Sequence, residues 1–161
     1  MKRLIILVFF FYLQSVVFAT EKVGAITGLP LPRFVMLKSK DVNMRSGPGI
    51  NYPLKINYKC YHLPVKVLAE IETWRLVKDS NGNEGWIHEA MLDKNKYVEL
   101  IADNLKIKVF RLPDTKSKQI VEVERGVIAK LIKCGDNWCN VSIAKSYKGW
   151  IHKNNLWGID T

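Results

Sequence analysis

The stretch EGWIH at residues 84–88 returns as KGWIH at residues 148–152. At the same offset Trp74 falls on Trp138, Val77 on Val141 and Gly85 on Gly149. Both copies set their two tryptophans twelve positions apart, 74 to 86 and 138 to 150. Trp and His are scarce in this chain, with 5 and 3 copies, so a shared Gly-Trp-Ile-His marks an internal repeat. Alternation along a strand puts Trp86 and His88 on one face and Ile87 on the other, with the same parity at Trp150, His152 and Ile151. Ile87 and Ile151 are therefore expected in the core and the tryptophans at the outer surface or closing one end. The glycine is expected where a neighbouring backbone comes close.

Outward from this motif the chain shows almost no helical periodicity. Short β-branched and aromatic runs (FVMLKS, VKVLAEI, WRLVKD, KIKVF, GVIAKLIKC, WCNVSI) are split by Gly, Pro, Asn and Asp, a pattern that predicts an all-β barrel or sandwich. Asn81-Gly82 in DSNGNEG predicts a hairpin with positive φ at both central residues. The second copy has AKSYKG there, a looser connection. Ser46-Gly47-Pro48-Gly49 must be a tight loop. At the matching place in the second copy, Arg45 aligns with Arg111 and Leu54 with Ile120 at an offset of 66, one small insertion away from the rest. Residues 93–100 are expected to link the repeats, or to supply a short helical turn or strand.

The chain begins MKRLIILVFFFYLQSVVFATEK. Lys2 and Arg3 precede an apolar run from Leu4 to Tyr12, and Val17-Phe18-Ala19 supplies a small-residue cleavage site. This is the layout of a secretory signal peptide over residues 1–19, followed by an extended leader at 20–34. A spanning helix needs ~20 apolar residues, and Gln14 and Ser15 interrupt this one. No transmembrane segment is expected after cleavage, and the product is expected to be periplasmic or secreted. Removing residues 1–19 leaves 23 basic against 15 acidic residues, a net charge of +8. Export makes nucleic acid an unsuitable partner, and the lysines are scattered, as on a solvated basic surface.

Together, VNMRSGPGINYP…LPVKVLAEIETWRLVKDSNGNEGWIH and CGDNWCNVS…GWIHKNNLWG resemble bacterial Src-homology-3-type (SH3b) domains, in the tandem form exported by alphaproteobacteria. The resemblance covers residues 28–158. It implies two tandem small SH3-like β-barrels, here placed at 35–95 and 99–160, with no catalysis of their own and a role in binding cell-wall or envelope components. Two positions depart from the pattern. His62 stands where the first barrel usually has glycine, and the second barrel has lost Gly-Pro-Gly from its loop.

Subtracting the repeat offset from Cys134 and Cys139 gives Glu70 and Arg75. Opposite charges in one copy and two thiols in the other make sense if the two positions face each other across a hairpin. In an oxidising compartment a disulfide is the leading reading. A metal site or free thiols are the alternatives, although C-x4-C is not the usual metal spacing. Cys60 is left over, with His62 two residues on; a Cys–His pair can make a nucleophile, but no orienting group or catalytic signature accompanies it. His88 and His152 are expected to serve equivalent structural ends, and neither metal nor cofactor is expected. Trp74 and Trp138 are expected to fill the barrels. Tyr52, Tyr58 and Trp86, with Arg45 at the Ser46–Gly49 loop, are the candidate binding residues, since aromatic grooves on such barrels receive extended peptides. The expected function is a non-enzymatic module recognising an envelope ligand, a peptidoglycan peptide or a protein partner. The alternative is a scaffolding subunit of an envelope assembly without wall affinity.

Overall fold

A computed structural model describes residues 22–103 and 105–159, so the signal-peptide reading at residues 1–19 lies outside the described residues. The first repeat contains β1 (Arg33–Leu37), β2 (Val42–Arg45), β3 (Leu54–Tyr58), β4 (Pro64–Ile71), β5 (Trp74–Lys78), β6 (Glu84–His88), a 3-10 turn (Glu89–Met91) and β7 (Leu92–Lys94). The second contains β8 (Tyr97–Leu100), β9 (Lys106–Phe110), β10 (Gln119–Glu124), β11 (Ile128–Cys134), β12 (Trp138–Ile143), β13 (Tyr147–His152), a 3-10 turn (Lys153–Asn155) and β14 (Leu156–Trp157). The two sheets have the same order, β3-β2-β6-β5-β4-β1-β7 and β10-β9-β13-β12-β11-β8-β14. Each repeat is thus one small antiparallel barrel, as the resemblance implied.

Each barrel has its own core. Leu37, Val42, Met44, Val65, Val67, Val77 and Ile87 pack in the first, and Val98, Leu100, Ile107, Val109, Val141 and Ile151 in the second. Ile87 and Ile151 are fully buried and their tryptophan and histidine neighbours half-buried, so the parity of the repeated motif holds. A side chain at Gly85 would meet the Arg45 carbonyl at 2.8 Å, and one at Gly149 the Phe110 carbonyl at 2.8 Å. These contacts also correct the alignment of the repeats. Arg45 stands opposite Trp86 and Phe110 opposite Trp150, so Phe110, not Arg111, is the counterpart of Arg45. Likewise Gln119, not Ile120, occupies the place of Leu54.

The hairpin turns reverse expectation. In the 79–83 turn Gly82 takes φ 87° while Asn81 does not; the Asp79 carboxylate organises the loop by accepting from Asn81 N (3.0 Å) and Asn83 N (2.8 Å). Two consecutive positive φ values occur instead in the second copy, at Ala144 (48°) and Lys145 (62°), closed by Ser146 N donating to Ile143 O at 3.1 Å.

Glu70 and Arg75 are direct cross-strand partners on β4 and β5, and Cys134 and Cys139 are direct partners on β11 and β12. The second pair is a disulfide with Cα atoms 4.1 Å apart. The segment read as an extended leader is instead a tight turn bridged by Val23 and Pro30, and it clasps Glu70. Glu70 accepts from Ile26 N (3.1 Å), Thr27 N (3.0 Å), Thr27 Oγ1 (2.7 Å) and Arg33 Nη2 (2.7 Å), with Arg75 Nε at 3.7 Å. Burial by itself would raise this carboxyl's pKa; the hydrogen bonds from Thr27, Arg33 and Ile26 outweigh it and bring the value from 4.5 down to about 2.

The barrels meet through aromatic contacts. Phe34 of β1 meets Trp157 edge-on at 5.0 Å, and Trp157 Nε1 donates to the Pro64 carbonyl at 3.2 Å. His62 stacks on Tyr97 at 4.1 Å with planes 5° apart. His62 has φ 62° and its counterpart Gly126 φ 84°, so His62 holds a glycine-type backbone, a costly conformation for a side-chain-bearing residue. At the same junction Glu99 is buried and its Oε2 has no partner among the described residues. Burial raises its pKa, with the Ser80 hydrogen bond and Arg125 opposing and Asp79 adding to the rise.

The two buried carboxylates predict opposite responses. Glu70, with its folded value below the unfolded one, stabilises the protein above pH 4.5 and loses that contribution as pH falls toward 2; Glu70→Gln should cost about 3 kcal/mol near neutrality. Glu99, with its folded value raised, is favourable only while protonated, so Glu99→Gln should stabilise near neutrality. Urea unfolding of both variants at pH 3 and pH 7 checks the signs, and a stabilised Glu70→Gln at pH 7 would overturn the account of the clasp.

Candidate functional site

The repeated histidines end β6 and β13 and cap the 3-10 turns that follow. His88 Nδ1 accepts from Ala90 N at 3.2 Å and His152 Nδ1 from Asn154 N at 3.4 Å. A side-chain acceptor at this place satisfies an amide that the turn leaves unpaired. Each ring also meets the first tryptophan of its repeat edge-on, His88 against Trp74 at 5.4 Å and His152 against Trp138 at 5.3 Å. The equivalent roles expected of the two histidines are thus a cap and a brace.

Beyond that brace the barrels diverge. Trp74 is buried. Trp138, expected to fill its barrel in the same way, is half-buried and meets Phe110 at a right angle, 5.7 Å between ring centres. Phe110, Trp138 and His152 line an open pocket of about 380 Å³, whose rim carries Lys106, Lys108 and Asp103. Phe110 can stand there because the register at Gly149 places it where the first barrel has Arg45. The sequence reading missed Phe110 because it aligned the loops one residue out. The signal was present in the alternation of KIKVF, with Ile107 and Val109 inward and Phe110 outward.

The residues proposed from the sequence fall into two groups. Arg45 and Trp86 are cross-strand neighbours, and Arg45 Nη1 donates to the Tyr52 carbonyl at 2.9 Å. The Tyr52 ring lies on its own loop, 2.2 Å from where a Cβ on Gly47 would be. These three are brought together on the first barrel. Tyr58 is not with them: its ring packs against the core and its hydroxyl donates to Asp79 Oδ2 at 2.9 Å. Burial, with Asp79 adding to it, raises the Tyr58 pKa far above its usual value.

Cys60 and His62 do not share a strand face; both lie in the turn before β4. The thiol donates to the Tyr61 carbonyl at 3.4 Å, and burial followed by the nearby Glu99 raises its pKa. A nucleophilic cysteine needs the opposite shift. His62 is committed to Tyr97. Among the described residues no group of three or more His, Cys, Asp or Glu side chains could hold a metal ion. A further cavity of about 610 Å³ lies between the barrels, with Leu29, Phe34, Leu92, Leu131 and Ile159 in its walls.

The caps predict that His88→Ala and His152→Ala each cost about 1 kcal/mol, while His88→Asn, which keeps an acceptor, recovers most of the loss. Thermal unfolding together with amide exchange at Ala90 and Asn154 measures this; unchanged exchange in both alanine variants would refute the capping role.

Among solved structures the chain is similar to NlpC2 from Trichomonas vaginalis, at 13% identity over 81% of this chain and 51% of that one, with a TM-score of 0.36. NlpC1 from the same organism matches at 11% over 83% and 48%, TM-score 0.34. An NlpC/P60 family protein from Bacillus cereus matches at 15% over 77% and 55%, TM-score 0.35. The chain spans about half the length of each of these proteins. No curated protein matches it. The model of the bacterial SH3 domain matches twice, over residues 38–94 and 106–158. Domains of this family typically bind cell-wall or peptide ligands. With two family matches falling on two barrels of one strand order, the chain belongs to the bacterial SH3 domain family.

Proposed function

We propose that this protein is an exported, non-enzymatic binding module that takes a peptide of the cell envelope, in the first place the stem peptide of peptidoglycan, in the aromatic pocket of its second barrel. The observation that carries this is the open right-angled pair of Phe110 and Trp138, braced by His152. Two ring faces at right angles accept the methyl groups and peptide planes of a short peptide, and the burial of such rings contributes most of the binding energy in small sites. Lys106 and Lys108 at the rim suit the carboxylates such a peptide carries. The absence of catalysis is supported by the raised Cys60 pKa and by the engagement of His62 with Tyr97. The disulfide is consistent with export to the periplasm or beyond. Tyr52, Trp86 and Arg45 on the first barrel form a secondary surface, since there Arg45, bonded to the Tyr52 carbonyl, takes the place that Phe110 holds in the second.

Co-sedimentation with purified peptidoglycan sacculi at low and high salt tests the proposal. Retention at both salts is expected, with Phe110→Ala and Trp138→Ala each weakening it at least tenfold and Trp86→Ala having little effect. No retention at either salt would overturn wall binding and favour a protein partner within an envelope assembly.

A further inference from the structure

A row of side chains crosses the outer face of the second barrel. Tyr97 on β8 pairs with Lys130 on β11, Lys130 with Ser142 on β12, and Ser142 with Lys148 on β13. Cross-strand partners share a face, and strands lie ~4.8 Å apart, so the row spans roughly 14 Å, with its two lysines about 10 Å apart. The stack of His62 on Tyr97 extends the row to the junction with the first barrel. All five residues line one concavity of about 860 Å³, and Lys145 stands on its rim. The wall residues include no carboxylate. Among the described residues, Lys130, Lys145 and Lys148 form no ion pair. Lys145 is placed there by the tight turn between β12 and β13, in which Ala144 and Lys145 both take positive φ.

The first barrel provides an internal comparison. Its equivalent row is Phe34, Lys66, Lys78 and Glu84. There Lys66 lies over the rings of Phe34 and Trp157, at 4.7 and 5.1 Å, and Lys78 pairs with Glu84 at 3.0 Å. The same scaffold thus engages both lysines of the row internally in one repeat, while in the other neither Lys130 nor Lys148 forms an ion pair among the described residues.

We infer that the Tyr97–Lys130–Ser142–Lys148 row is a second binding site, for a stretch of anionic glycan. The lysines meet acidic groups on the sugars, the Ser142 hydroxyl meets a sugar hydroxyl, and the His62–Tyr97 stack provides an aromatic wall for a ring. Three observations favour a glycan over other anionic partners. The row runs across β11, β12 and β13, which lie inside the sheet, so their backbone groups are already paired and no edge is free for a peptide to add a strand. The site is concave, which a flat lipid surface does not fill. Within the row the Ser142 hydroxyl lies between the two cations, the alternation of hydroxyl and charge that an acidic sugar chain complements. The site is separate from the aromatic pocket: Ser142 is four residues along β12 from Trp138, about 13 Å.

The test is titration of the whole chain with a decamer of galacturonate at physiological salt, followed by calorimetry and amide chemical shifts. Its methyl ester (the same sugars without charge), poly-glutamate and polyphosphate serve as comparison probes. Binding is expected with shifts at Tyr97, Lys130, Ser142 and Lys148, and at least tenfold weaker binding of the ester. Lys130→Ala with Lys148→Ala should lose at least tenfold, while Lys78→Ala in the first barrel and Phe110→Ala in the pocket should stay within twofold. Any of four results overturns the inference: no galacturonate binding, wild-type affinity in the double variant, an equal loss in Lys78→Ala, or tighter binding of poly-glutamate or polyphosphate than of galacturonate. Wall binding through Phe110 and Trp138 stands or falls independently, because Phe110→Ala separates the two sites.

Discussion

The close approach of backbones at Gly85 and Gly149 is the constraint on which each barrel is built. The strand that leads into the loop, β2 or β9, must lie directly beside β6 or β13, and any Cβ on the glycine would sit 2.8 Å from the Arg45 or Phe110 carbonyl. Once the glycine sets that contact, the rest of the repeated motif is assigned by alternation. Isoleucine points inward, tryptophan outward, and histidine arrives at the end of the strand in position to cap the 3-10 turn. The motif recurs because four successive residues each answer a different geometric demand of the same junction.

On this common frame the two repeats spend equivalent positions differently. Where the first barrel ties β4 to β5 with Glu70 and Arg75, the second uses the Cys134–Cys139 disulfide. The charge pair brings its own requirement, because a buried carboxylate must be satisfied. The turn at residues 22–31 meets it with two backbone amides and a hydroxyl. The disulfide needs no such cover, and Cys134 stays exposed. The same divergence puts Arg45 beside Trp86 in one barrel and Phe110 beside Trp138 in the other. The first barrel engages Lys66 and Lys78 internally; the second presents an aromatic pocket and, among the described residues, Lys130 and Lys148 without an ion pair.

Much of this was legible in the chain. The repeat, the all-β class, the inward isoleucines, the close glycines and the cross-strand pairing of Cys134 with Cys139 all follow from spacing and alternation, which are local properties of extended strands. The loops were less legible. Asn81-Gly82 was read as a turn with two positive φ values, but the Asp79 carboxylate supplies enough hydrogen bonds to hold a different loop. Ala144 and Lys145 adopt the two-residue geometry without the usual residues. Aromatic residues were expected to line the site: the structure keeps Tyr52 and Trp86 with Arg45 on the first barrel, Tyr58 turns inward to Asp79, and a one-residue error in aligning the loops hid Phe110.

The sequence by itself determined that two copies of one small β unit follow one another, and which residues of each face inward, because a period of two along a strand needs no knowledge of what lies across from it. Only the tertiary structure decided how the units join and which surface is left open. The stack of His62 on Tyr97 and the docking of Trp157 on Phe34 and Pro64 bring together residues 35 to 123 positions apart. The free row of Tyr97, Lys130, Ser142 and Lys148 likewise emerges only when four strands are laid side by side. Such placements depend on register between strands and on packing between barrels, and neither leaves a periodic trace in the order of the residues.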